Sequence, residues 1–328
     1  MSKGRQPPSS LDRGRRSPLQ NPVLSIDDLA DPRLDRFRGL IDRGDRPDPD
    51  CFFVESETAV ARLLASPHFT ALAVLGAAAH LERLAPACPT YLVTRELLRA
   101  VLGFDLHRGV IACAARPPQL APNMSKRTCL IGPDPNTSSI TPIGPDPNTS
   151  SIPAIGPVLG ASSLAAALAG PRWTVLLVQG LADPANLGSI IRSARAFAVD
   201  LVLLDRRGAD PLSRRAVRGA MGHVFSQPLA LVDDLPGAIA QLQALGAAVW
   251  AATLGPRARP LGSLARPERL ALLVGNEGLG LPAELCARAD AELTIPIAPE
   301  VDSLGVAAAT AVLLHALTDP HPGRPGGI

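Results

Sequence analysis

Three short segments bring together residue types that could do chemistry. In LLVGNEGLGLP (residues 272–282) an apolar run delivers the chain into Gly275-Asn276-Glu277-Gly278-Leu279-Gly280. Glycines lack a Cβ and let a backbone approach a bound molecule closely, and loops of this kind often cradle phosphates. This one is a poor fit to a phosphate. A Walker-type loop needs Gly-Lys, which occurs nowhere in the chain, and the glycine spacing is not the Gly-x-Gly-x-x-Gly of a dinucleotide site. Glu277 inside the loop would also repel an anion. The loop suits a ligand that is neutral or cationic where it faces Glu277.

In DPANLGSIIRSARAFA (183–198) the residues Asn186, Gly188 and Arg192 form Asn-x-Gly-x-x-x-Arg across a turn entering a helix. Asn186 is the expected N-cap, with Arg192 about a turn and a half further on. In IPIAPEVDSLGVAAATA (295–311) a strand end at Ile295-Pro296 leads through a loop to Ser303-Leu304 at an expected helix start.

The elements around these segments alternate strand and helix from about residue 160. WTVLLVQGL, LVLLD, AAVWAAT, RLALLVG and ELTIPI are continuous apolar runs, as strands buried on both faces are. NLGSIIRSARAFA, DPLSRRAVRGAM, PGAIAQLQAL, LPAELCARA and SLGVAAATAVLLHAL carry helical patterns between or after them. The order predicts an α/β domain with a mostly parallel sheet over 159–319, with ligands outside the carboxyl ends of its strands. Those ends are 179–186, 253–255, 275–280 and 296–304.

A smaller α/β unit is expected over 29–116, from short strands (CFFV, LAVL, YLV, VIACAA) alternating with helical patterns. Between the two, residues 117–158 hold IGPDPNTSSI at 131–140 and again at 143–152. Two proline- and glycine-rich copies cannot build a solenoid or bury a core, so the segment reads as a duplicated interdomain linker. Residues 1–28 read as a disordered basic arm and 320–328 as a disordered tail.

The net charge of the 328 residues is only +2, but it is uneven. Residues 206–218 hold five arginines (206, 207, 214, 215, 218) against Asp210, a local balance of +4. Such a patch suits a polyanion. Five scattered cysteines with no Cys-x-x-Cys argue against a disulfide framework or a zinc site, and no metal is expected. The first 20 residues are polar and no apolar run is long enough for a bilayer. A cytoplasmic protein with no membrane partner is the expectation.

Together, the three motifs and their order resemble the signatures of the SpoU family of RNA 2′-O-ribose methyltransferases, in the SPOUT superfamily. The similarity covers about residues 160–318, and DPLSRRAVRGAMGHVFSQPLA between the motifs is similar too. The resemblance implies a deep trefoil knot, a rare exception to unthreaded chains, and S-adenosylmethionine as methyl donor. Gly275, Asn276, Ile295, Leu304, Thr253 and Leu254 would hold that cofactor. Arg192 would be the central catalytic residue, with Asn186, Glu277 and Ser303 orienting it and the substrate. A guanidinium stays protonated at neutral pH, which favours Arg192 as a clamp on phosphate and developing 2′-oxyanion over Arg192 as a base. Arg214, Arg215 and Arg218 would bind RNA.

The unit over 29–116 resembles, more loosely, the L30e-like RNA-binding domain that often precedes such catalytic domains. Structured rRNA or tRNA, not DNA, is the implied partner, and a homodimer the implied assembly. One position departs from the family: Ser303-Leu304 is followed by Gly305, where asparagine is usual. Gly305 keeps open a second reading, a catalytically weakened knotted RNA-binding protein. A nicotinamide-dependent oxidoreductase is disfavoured because no glycine fingerprint follows LLVQG.

Overall fold

The computed structural model describes residues 23–40, 50–106, 109–120 and 168–318. Most of the basic arm, nearly all of the repeated linker and the C-terminal tail lie outside the described residues.

The N-terminal unit is a five-stranded sheet in the order β1-β4-β3-β5-β2. Its strands are β1 (Val23–Ser25), β2 (Cys51–Glu55), β3 (Ala71–Gly76), β4 (Thr90–Leu92) and β5 (Val110–Ala115), with β5 antiparallel to β2 and β3. Helices α1 (Glu57–Ala65), α2 (Ala78–Leu84) and α3 (Arg95–Leu102) cover it. Helix α1 begins where the Ser56 side chain accepts from the Ala59 amide, and α3 where Thr94 does the same for Leu97.

Two boundaries differ from the sequence reading. Residues 23–28 were expected in the arm, yet Val23–Ser25 pairs in parallel with Thr90–Leu92, and the Ile26 amide donates to the Leu92 carbonyl. The linker was expected from 117, yet Leu120 is fully buried in the core. Both stretches are short, and only their nonlocal partners give them structure.

The C-terminal unit is a seven-stranded sheet in the order β10-β12-β9-β11-β6-β7-β8, and every recorded pairing is parallel. Its central strands are β6 (Trp173–Val178), β7 (Leu201–Asp205), β9 (Ala248–Ala252) and β11 (Arg269–Val274). Outside them lie β8 (Leu229–Val232), β10 (Arg259–Pro260) and β12 (Ala291–Thr294). The short strands β8 and β10 were not read from the sequence. Helices α4 (Pro184–Ala196), α5 (Arg214–Gly219), α6 (Leu235–Ala244), α7 (Ala283–Arg288) and α8 (Val306–Leu317) connect or flank the strands.

The apolar runs alternate between two cores, as period-two strands must. From β6, Leu176 and Val178 point to the side of α4 and α8, while Val175 and Leu177 point to the side of α6 and α7. The first of these cores is continuous with the N-terminal unit. Phe52 and Phe69 pack edge-on at 5.8 Å, and Phe225 of the C-terminal unit lies 5.9 and 5.0 Å from them.

Polar contacts close the same seam. Arg116, with a side chain 2% exposed, pairs bidentately with Asp210 at 2.9 and 3.1 Å. Glu55, itself buried, is paired with Arg214. Ser66 donates to the Phe225 carbonyl at 2.9 Å. The two units are therefore packed face to face, not merely strung on a linker.

Candidate functional site

The carboxyl ends of β9, β11 and β12 and the start of α8 enclose one cavity of about 570 Å³. Volumes of roughly 300–1,000 Å³ are usual for small-molecule sites. Of the residues expected at a site, Asn186, Thr253, Leu254, Gly275, Asn276, Glu277, Ile295, Ser303 and Leu304 all line this cavity. Segments nearly 120 residues apart converge because the parallel strands that carry them end on the same edge.

The glycine loop is organised by its own contacts. Asn276 Oδ1 accepts from the amides of Gly278 and Leu279 at 2.9 and 3.0 Å, and its Nδ2 donates to the Gly180 carbonyl at 2.8 Å. The side chain thus shapes the loop and ties it to the end of β6. A Cβ on Gly275 would stand 2.6–2.8 Å from backbone atoms of Gly280 and Leu281. The sequence reading assigned these glycines to close approach by a ligand. At Gly275 the close approach is the loop's own return.

Glu277 reaches across to α4. Its carboxylate accepts from the amides of Ala182 and Asp183, both at 3.2 Å, and from Asn186 Nδ2 at 3.1 Å. Partial burial opposes its ionisation, but these hydrogen bonds outweigh that, and the carboxyl is held below its usual range. Glu277 is therefore an anion at neutral pH facing the cavity.

Asn186 is not the N-cap of α4. Asp183 is: its side chain accepts from the Ala185 amide at 3.0 Å, and Pro184 is the first helical residue. The Asp-Pro pair was the available signal, since proline is favoured at the first helical position. Asn186 is instead free to bond Glu277. Gly188 has a packing role: a Cβ there would lie 2.4 Å from the Ala216 carbonyl oxygen, where α4 crosses α5.

Arg192 does not line the cavity. It lies on the exposed face of α4, six residues beyond Asn186, or about 9 Å along the axis. It contacts neither Asn186 nor Glu277 among the described residues. Ser303 and Leu304 line the cavity in a loop, because α8 starts later than expected, with Gly305 as its N-cap and no side-chain capping bond.

The arginine patch is largely committed inside the chain. Arg214 is salt-bridged to Glu55 and lies over the Phe104 ring at 4.5 Å, so burial and stacking make it an anchor between units. Arg218 lies 3.7 Å from Glu55, and Arg215 lies 3.4 Å from Asp183. Of the three arginines expected to bind RNA, Arg214 is thus committed to Glu55, while Arg215 and Arg218 are exposed. Glu55 and Arg116 were not singled out in the sequence, and Asp210 entered only as the lone acid among five arginines, because nothing there marks a carboxylate as the partner of a distant arginine.

Comparison with known proteins agrees with this arrangement. The model of the SpoU rRNA Methylase family matches residues 174–315. An uncharacterized tRNA/rRNA methyltransferase of Mycobacterium tuberculosis is 33% identical over 308 residues, covering 90% of this chain and 92% of that protein. The 23S rRNA guanosine 2′-O-methyltransferase RlmP of Bacillus subtilis is 37% identical over 143 residues, 44% of this chain and 57% of RlmP. An AdoMet-bound rRNA methyltransferase from Sinorhizobium meliloti shares the fold, with a TM-score of 0.62 at 22% identity over 90% of this chain and 97% of that one. The chain belongs to the SpoU family of RNA methyltransferases.

Proposed function

We propose that the protein transfers a methyl group from S-adenosylmethionine to a ribose 2′-oxygen of rRNA or tRNA. The observation that carries this reading is the cavity of about 570 Å³ closed by all three motif segments at once. Its lining fits the methyl donor. Leu254, Ile295 and Leu313 offer apolar surface, the loops at 253–255 and 275–280 offer backbone groups, and the Glu277 carboxylate suits a cationic ligand. Bound there, S-adenosylmethionine would supply a methyl group on a sulfonium, a good leaving group. RlmP, a 2′-O-methyltransferase, supports the ribose as acceptor.

Catalysis would then rest on positioning and electrostatics. In this reading Glu277 and Asn186 hold the start of α4 against the glycine loop, and Ser303 lies beside the acceptor or donor. Arg192, exposed and without an acidic partner among the described residues, is available to clamp RNA phosphate and a developing 2′-oxyanion. The knot belongs to the same reading, supported by the fold shared with SpoU relatives and by α8 packing back on α4. So does a homodimer, supported by exposed Leu254, Leu279, Val301, Leu304 and Val312.

The test is incubation of the full chain with labelled S-adenosylmethionine and unmodified total RNA, followed by digestion to nucleosides. Label in a 2′-O-methylated nucleoside is expected; label in a base, or none, overturns the proposal. Full activity of Arg192→Lys would remove the bidentate clamp from it.

A further inference from the structure

The seam between the units carries cations with no carboxylate partner among the described residues. Arg192 and Arg195, about one turn apart on α4, make no hydrogen bond or ion pair among the described residues. Arg62 of α1 donates to the Met221 carbonyl and has no carboxylate partner there. All three act on one residue, His223, in the 3-10 turn His223–Phe225 that packs against both α1 and α4. Several arginines elsewhere are paired with acids, as at Arg83–Glu57, Arg206–Asp233 and Arg257–Glu292. No carboxylate is among the groups acting on His223. Burial first, and then repulsion from Arg62, Arg195 and Arg192, lowers its pKa to about 4, so the imidazole is neutral and adds no further charge.

We propose that this seam is a binding surface for the phosphodiester backbone of the RNA substrate, with Arg62, Arg192 and Arg195 as its cationic contacts around His223. The inference rests on the reading of the protein as an RNA methyltransferase and adds the path by which RNA spans the two units. Like charges gathered without counter-charge raise the local potential and favour a polyanion that releases its own counterions. The planar guanidinium fork matches a phosphate. One contact comes from α1 and two from α4, so the surface suits an extended backbone better than a single anion. The Arg116–Asp210 pair, the Glu55–Arg214 pair and the Phe52–Phe69–Phe225 cluster fix the spacing of those contacts before RNA arrives. Along α4 the same surface leads back toward Asn186 at the cavity.

The experiment measures binding of the full chain to in vitro transcribed 23S rRNA and tRNA over a range of salt. Arg195→Gln is the main variant, because Arg195 is exposed and its side chain has no hydrogen-bond or ion-pair partner among the described residues. Arg62→Gln and the double variant accompany it, with Arg288→Gln on α7 as the control. Each seam substitution is expected to weaken binding severalfold and to make the slope of log K against log salt shallower by about 0.7–0.9. Affinity for S-adenosylmethionine should not change, and the control should match the wild type.

Wild-type affinity and slope in the double variant overturn the proposal, as does absence of salt-dependent RNA binding by the unaltered chain. RNA binding through the seam without methyl transfer sinks the proposed activity and keeps the surface. Methyl transfer by the unaltered chain, with undiminished RNA binding in the seam variants, does the reverse.

Discussion

Asn186 Nδ2 donates to Glu277 Oε1 across 3.1 Å, joining the first turn of α4 to the glycine loop after β11. With the amides of Ala182 and Asp183 on the same carboxylate, this contact couples two of the three motif segments. The carboxylate serves the start of the helix, where negative charge is favoured.

Glu277 therefore makes stability depend on pH. Its folded pKa lies below the unfolded value, so its contribution is present above the unfolded pKa and is lost as pH falls through the folded one. Urea unfolding between about pH 3 and 7 should show the wild type losing more stability on acidification than Glu277→Gln. Parallel curves would refute the linkage.

Gly275 and Gly278 should behave differently although they share a loop. A Cβ at Gly275 meets the backbone of Gly280 and Leu281 at 2.6–2.8 Å, whereas at Gly278 it meets only Asn276 Oδ1 at 3.7 Å. Gly275→Ala should destabilise by roughly 1–3 kcal/mol, as overpacking does, and lower S-adenosylmethionine affinity at least tenfold by calorimetry. Gly278→Ala should do neither.

Gly305 is the N-cap of α8, not an interior residue. Glycine there is only a few tenths of a kcal/mol worse than asparagine, so the departure from the family costs the helix little. A Cβ at Gly305 meets nothing within 4 Å. Gly305→Asn should raise the unfolding free energy by a few tenths of a kcal/mol and leave methyl transfer undiminished. A sharp fall in turnover would show that the site uses the glycine.

Asp210→Ala tests the seam. It strands Arg116, whose side chain is 2% exposed and whose Nε already lacks a partner. Removing one member of a buried pair costs about 3–5 kcal/mol, measurable by denaturant unfolding. A change under about 1 kcal/mol would mean that the pair is as weak as a surface one.

The parallel sheet was legible in the residues alone, because strands buried on both faces must be continuous apolar runs, as in β6 and β11. So were the segments that meet, because parallel strands bring their carboxyl ends to one edge, and nine expected residues line one cavity there. Family membership was legible in the order of the three motifs.

How each residue is used emerged only from the folded chain. Gly275 yields to the return of its own loop at Gly280, while Gly188 yields to Ala216 and Arg214 to Glu55, nonlocal partners with no mark in local spacing. The seam between the units lay beyond the sequence for the same reason. Phe52, Phe225, Arg116 and Asp210 are ordinary residues until folding brings them together, and Arg62, Arg192 and Arg195 come to share His223 only once α1 and α4 both pack against its turn.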